Sequence, residues 1–203
     1  MSKHSLEDVL HFWFGNIPVR AEDIRPYVDH RMRLWFAGTP EIDAEIRKRF
    51  EKDLLKAALG DHEEWMKTAR GKLALVVLFD QFPRNIYRDQ PRGIWFDPLA
   101  REIAFATVSA GQDRDVPPLE RAFLYLPYEH SEELAVQNRG VELFTRLVNE
   151  VSPDWKPTFE NFRRYAELHR DMIARFGRFP DRNEMLGRVS TAEEIEVLRD
   201  YPF

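Results

Sequence analysis

The sequence predicts an all-α protein, either a helical array or a compact bundle of antiparallel helix pairs, with residues 1–203 forming one domain. Three observations carry this. Apolar residues recur at helical spacing in segment after segment. Several segments open on Ser, Thr or Asp with Pro in the first turn and end at Gly. No stretch alternates polar and apolar residues between turn signals, as a half-buried strand would.

The elements follow in order. In SLEDVLHFWF, residues Leu6, Val9, Leu10, Trp13 and Phe14 make one stripe, with Ser5 as cap and Gly15 as stop. TPEIDAEIRKRFEKDLLKAALG takes Thr39 as cap and Pro40 in the first turn, presents Ile42, Ile46, Phe50, Leu54 and Ala57, and ends at Gly60. GKLALVVLFDQF is apolar almost all round, which marks a central buried helix, with Asp80 on the same stripe as Leu73, Val76 and Val77. DPLAREIAFATVSAG repeats the cap-Pro-Gly pattern with Asp97, Pro98 and Gly111. In PPLERAFLYL the stripe is Leu119, Ala122, Phe123 and Leu126. Pro127 should stop that helix, leaving Tyr128, Glu129 and His130 in a loop before Ser131 caps the next. That next helix runs from about Ser131 to Val148, and another from Thr158 to Gly177. The last opens at STAEE, where Ser190 and Glu193 have capping-box spacing.

Composition narrows the function. The chain is 43% hydrophobic and 32% charged, the balance of a folded globular protein. Its net charge of −5 argues against nucleic acid or an anionic membrane as partner, since both call for basic surface. There is no cysteine, which excludes disulfides, thiolate chemistry and Cys-based zinc sites. The N-terminus lacks a leader pattern and the longest apolar run, LALVVLF, is far too short to span a bilayer. A cytoplasmic location is expected.

Candidate chemistry comes from polar residues on apolar stripes. Asp80, Gln137 and His169 all fall on core-facing positions of three different helices. A buried carboxylate needs hydrogen bonds or a counter-charge, and Asp80 also sits at the negative end of its helix. Arg84, Arg88, Arg170 and Arg178 are the candidate partners. The ordinary reading of each residue alone is structural. The three together suggest one polar cavity, built as helical bundles build sites, from inward side chains on facing helices. Two similar stretches, FDQFPRN at 79–85 and FGRFPDRN at 176–183, add Arg84, Asn85, Arg178, Arg182 and Asn183. Pro disfavours helical geometry in the residue before it, so Phe82 and Phe179 should each leave a helix. His130 and Glu133 share i, i+3 spacing, but a lone HxxE falls short of a di-iron pattern. No nucleophile, phosphate-loop or dinucleotide motif occurs, so no metal or cofactor is expected.

The blocks VLHFWFG, LALVVLFDQFPRNIYR, DPLA, ERAFLYLPYEHSEELAVQ and HRDMIARFGRFPDRNEMLGRVSTAEE resemble, in order and over nearly the whole chain, a bacterial family of unknown function numbered 924. The resemblance implies an all-helical, tetratricopeptide-like fold and no established activity. Its blocks fall on Asp80, Arg84, Asn85, Glu120, Arg121, His130, Gln137, His169, Arg170, Asp171, Arg178, Arg182 and Asn183. Relatives often carry His where this chain has Asp181.

Three functions compete. The first is a binding module for a small anionic ligand or a peptide, with Arg84, Arg121, Arg170, Arg178 and Arg182 supplying charge and Asn85, Gln137, Asp171 and Asn183 orienting the ligand. Trp35 or Trp95 would stack against it. The second is a hydrolase-type enzyme in which Asp80 or Glu120 acts as base, His169 or His130 as acid–base partner, and Arg side chains stabilise charge. The third is a structural protein, since the FWF and LWF segments can support a homodimer.

Overall fold

The computed structural model describes residues 4–200, and among them there is no strand. The helices are α1 (Leu6–Phe14), α2 (Ala21–Met32), α3 (Pro40–Ala58), α4 (Ala69–Val76), α5 (Phe82–Ile86), α6 (Asp97–Ser109), α7 (Pro118–Glu129), α8 (Leu134–Glu150), α9 (Lys156–Phe176) and α10 (Ala192–Asp200). Residues from Val9 to Ala166 pack on one aromatic core. Trp13 meets Phe82 and Phe123 at ring-centroid distances of 5.5 and 6.0 Å, and Phe123 meets Phe162 at 6.1 Å. A smaller cluster of Met172, Ile173 and Phe179, with Phe176 and Val197, anchors the C-terminal segment to α9.

Local signals set many boundaries. Ser5 and Asp8 form a reciprocal capping box on α1, and Thr39 Oγ1 accepts from Ile42 N ahead of Pro40. At α4, Thr68 Oγ1 accepts from Gly71 N at 3.0 Å. Gly71 is required there by space: a Cβ would stand 2.1 Å from the Trp65 carbonyl oxygen.

Four expectations are corrected. Phe82 does not leave a helix: it has φ −62° and ψ −37°, and α4 runs through a π-turn at Val77–Gln81 directly into α5. The Phe82 amide donates to Val77 O, five residues back, and this widened turn makes room for the Pro83 ring that would otherwise strike the preceding turn. Phe179 does leave one, in extended conformation with ψ 111°. Pro127 does not stop α7, which continues to Glu129. Every residue from Leu119 to Glu129 is buried, and that packing outweighs the roughly 3 kcal/mol that Pro costs inside a helix. The cap of α10 lies one residue later than expected: Thr191 Oγ1 accepts from Glu194 N, and Glu194 Oε2 accepts from Thr191 N. Asp97 is the first residue of α6, with Phe96 as its cap, and its carboxylate is used elsewhere. On α9 the i, i+4 pair is Arg163 with Glu167, at 3.5 Å.

Candidate functional site

The π-turn is what delivers Asp80 to the interior. Its side chain is 0% exposed. Oδ1 accepts from His130 Nδ1–H at 2.7 Å and lies 3.5 Å from Arg84 Nη1, while Oδ2 accepts from Gln81 Nε2. Arg84 folds back to donate to the Asp80 carbonyl and clasps Asp97 with two bonds of 2.8 and 2.9 Å. Burial works against a charge on Asp80, but Arg84 and His130 outweigh it and hold the carboxyl at about 2. For Arg84 the order is the same: burial opposes the charge, and Asp80 and Asp97 more than offset it.

His130 is the C-cap of α7, so its carbonyl and ring project where the helix ends. Burial, then Arg84, push its ring towards the neutral form, against the pull of Asp80. With Nδ1–H given to Asp80, Nε2 carries the lone pair, and it makes no hydrogen bond to any described residue. His169 on α9 stands beside it, ring centroids 6.3 Å apart. Nδ1–H of His169 donates to Tyr165 O at 2.8 Å, and burial followed by His130 lowers its ring to about 3.

These two rings separate, and belong to, two cavities. The larger is a cleft of about 700 Å³ between the Arg84–Ile94 segment and the Phe179–Met185 segment. The two Phe-Pro stretches therefore face each other across one opening. The cleft wall holds Arg84, His130, His169, Phe179 and Arg182, with exposed Asp89, Asp181 and Glu184 at the rim. Asp89 has φ 60°, the only non-glycine residue with positive φ among those described. Arg182 donates to His130 O at 3.1 Å and lies over the Phe179 ring at 4.4 Å. Among the described residues it has no carboxylate within ion-pair distance, and burial together with Arg84 weakens its hold on its proton.

The smaller cavity, about 290 Å³, is lined by Met32, Phe36, Leu126, Phe162 and Tyr165, with Asn161, Glu129 and the same two histidines. Glu129 is 3% exposed, and its Oε1 has no hydrogen-bond partner. Its Oε2 is 3.4 Å from His169 Nδ1. Burial and then the nearby Asp80 charge raise its carboxyl well above the usual range, so it favours the neutral acid.

Of the residues singled out from sequence, Asp80, Arg84, His130, His169 and Arg182 come together here. Arg88 and Asp181 line its outer part, and the remaining ones do not line it. Gln137 is buried and bonds the carbonyls of Glu129 and Ser131 at 2.6 and 2.7 Å, fixing the turn that presents His130. Asn85 bonds Asp43, which also pairs with Arg88 at 2.6 Å. Glu120 pairs with Arg70 at 2.8 Å, and Arg121 with Glu150 at 2.6 Å. Arg170 meets its neighbour Asp171 on the surface. Arg178 and Asn183 both bond Glu194 and so tie the C-terminal segment to α10. Trp35 is a core residue and Trp95 is 65% exposed; neither lines the cleft. Glu133 pairs with Arg101 at 3.0 Å. Among the described residues, no three His, Asp or Glu side chains are placed to hold a metal. Sequence reasoning missed Glu129 and Asp97. The available signals were a charge closing the apolar C-terminal half of a buried helix, and an acid in a first helical turn downstream of an arginine.

A family model described as "Bacterial protein of unknown function" matches residues 9–201, and the chain is a member of that family, DUF924. Among solved structures it is similar to the protein of unknown function ATU0120 from Agrobacterium tumefaciens, at 35% identity and a TM-score of 0.74, over 89% of this chain and 97% of that one. No curated protein matches. No helix among the described residues is long and apolar enough to cross a membrane.

Proposed function

We propose that the protein binds a small anionic ligand, bearing a carboxylate or a phosphate, in the cleft between the two Phe-Pro segments. The observation that carries this reading is Arg182. It is a half-buried guanidinium on the cleft wall, with a carbonyl and a ring for neighbours and no carboxylate within ion-pair distance; Asp97, Asp181 and Glu132 act on it only from further off. A buried charge without a partner is costly, and a ligand anion supplies the missing one in bidentate form. Arg84 is already neutralised by Asp80 and Asp97, so its part is to position His130 through Asp80 and to shape the wall.

A thermal-shift titration with inorganic phosphate, phosphomonoesters and short carboxylates tests the reading. A ligand at 100 times its Kd stabilises by about 2.7 kcal/mol, which for a chain of this size is about 5–10 °C. The response should vanish in Arg182→Met. No response to any anion, or an equal one in the variant, overturns the reading.

A hydrolytic role is the second reading, favoured by the 2.7 Å Asp80–His130 bond that leaves His130 Nε2 as an acceptor. The cleft wall offers no Ser, Thr or Cys, so attack would be by water with His130 as base. Turnover of a bound phosphomonoester, lost in His130→Ala, tests it. Binding without turnover leaves the protein a binding module.

A further inference from the structure

The smaller cavity holds a group that anion binding does not use. Glu129 is an acid enclosed to 97%, with one oxygen lacking any partner, in a wall otherwise made of Met32, Phe36, Leu126, Phe162 and Tyr165 with Asn161 and the two histidine rings. Its neighbours do not neutralise it. Asp80 is of the same sign, His130 gives its Nδ1–H to Asp80, and His169 gives its own to Tyr165 O. Arg84 is committed to Asp80 and Asp97. An isolated carboxyl in an aromatic enclosure has the composition of an ammonium site: the acid supplies the charge and the ring faces attract the cation.

We propose that this cavity is a subsite for a ligand ammonium group, bound by Glu129 against the Phe36, Phe162 and Tyr165 rings. The two cavities share the His130 and His169 rings as a common wall. Arg182, which donates to the carbonyl of the residue after Glu129, stands on one side and Glu129 on the other, groups of opposite kind that no oppositely charged side chain contacts directly. The ligand class that satisfies both is a small zwitterion, an amine joined to a carboxylate or phosphate by a short apolar chain; this extension rests on the anion site proposed above. Seating the ammonium ionises Glu129. The carboxyl O–H bond breaks, its proton leaves to solvent, and the ligand keeps its three N–H donors, so one proton is released per amine bound.

The test uses butylammonium, butyrate and 4-aminobutyrate as probes of the full chain. Isothermal titration at pH 6 in two buffers of different ionisation enthalpy counts the protons released. Butylammonium should bind with release of about one proton, weaken tenfold or more in Glu129→Gln, and bind Arg182→Met as it binds the parent. Phe36→Leu, at a ring 48% exposed, should weaken it several-fold with the fold intact. Butyrate should show the reverse pattern, lost in Arg182→Met and kept in Glu129→Gln, and 4-aminobutyrate should bind more tightly than either. No butylammonium binding, binding unchanged in Glu129→Gln, or binding without proton release overturns the ammonium subsite. Loss of the butyrate response alone overturns the anion site and leaves the ammonium subsite standing.

Discussion

Replacing Glu129 by Gln isolates a proton that the folded protein holds and the unfolded chain does not. In the unfolded chain this carboxyl ionises near 4.5. In the fold, burial and then Asp80 keep it protonated well above that. Above pH 4.5 the native state therefore carries one more proton than the unfolded state. Stability then falls with rising pH by about 1.4 kcal/mol per unit, until the folded carboxyl itself ionises. His169 acts in the opposite sense. Its ring is lowered to about 3, so from there up to 6.5 the unfolded chain binds the extra proton and stability rises with pH. His130 adds to that rise. The parent curve sums these slopes, but the difference between Glu129→Gln and the parent removes the histidines. That difference should be small at pH 4 and grow in favour of the variant by about 1.4 kcal/mol per pH unit, or about 3–6 °C in Tm for a chain of this length. Urea unfolding of both proteins from pH 4 to 8 measures it. Parallel curves across that range would mean that Glu129 ionises normally in the fold, and the reasoning about its isolation would fail.

Three further outcomes follow from the same geometry. Asp80→Asn removes the charge shared by Arg84 and His130, and should destabilise by about 3–5 kcal/mol, as breaking a buried pair does; denaturant titration reads it. Arg182→Met should leave the melting temperature of the ligand-free protein unchanged or higher, because the guanidinium it deletes has no acid partner, while abolishing anion binding. Gly71→Ala should lower stability by about 1–3 kcal/mol through the 2.1 Å clash with the Trp65 carbonyl, and an unaltered melting temperature would contradict the close approach of that turn to α4.

Much of the helix order was legible because its signals are local. Ser5 and Thr39 act within three residues of themselves, and the stripes of α1 and α3 read directly as their buried faces. Burial of Asp80 and Gln137 was legible for the same reason, since a polar residue on an apolar stripe has nowhere else to point. The partners were not legible. His130 is fifty positions from Asp80, so its 2.7 Å bond exists only through packing of α7 on α4. The two arginines of the second Phe-Pro stretch look alike in sequence, yet Arg178 is consumed by Glu194 whereas Arg182 is not. Glu129 was hidden by Pro127. A proline read as a helix stop places the next residues in a loop, and only the complete burial of α7 overrides that rule.

The contrast with the rest of the molecule argues that this cluster is built for a ligand. Many buried or half-buried charges elsewhere are matched, Glu120 with Arg70, Arg121 with Glu150, Asp43 with Arg88 and Glu194 with Arg178, while Arg31 and Asp113 are held by a carbonyl and a hydroxyl. A chain able to pair these has no difficulty pairing two more. Arg182 and Glu129 are left apart on opposite sides of the His130–His169 wall, each adding desolvation that no direct ion pair offsets, at a place where two cavities adjoin. The same neighbourhood contains the π-turn that carries Asp80 and the positive φ of Asp89 at the cleft rim. Such irregularities lower native stability, and they concentrate where a site must be held in place. If the fold alone were their purpose, filling the small cavity and replacing both groups by apolar residues would stabilise the protein and change nothing else. A double variant, Arg182→Met with Glu129→Leu, should melt higher than the parent at pH 7 and bind neither butyrate nor butylammonium. A double variant that melts lower would show that the two groups support each other in the folded state, and would refute the reading that they wait for a ligand.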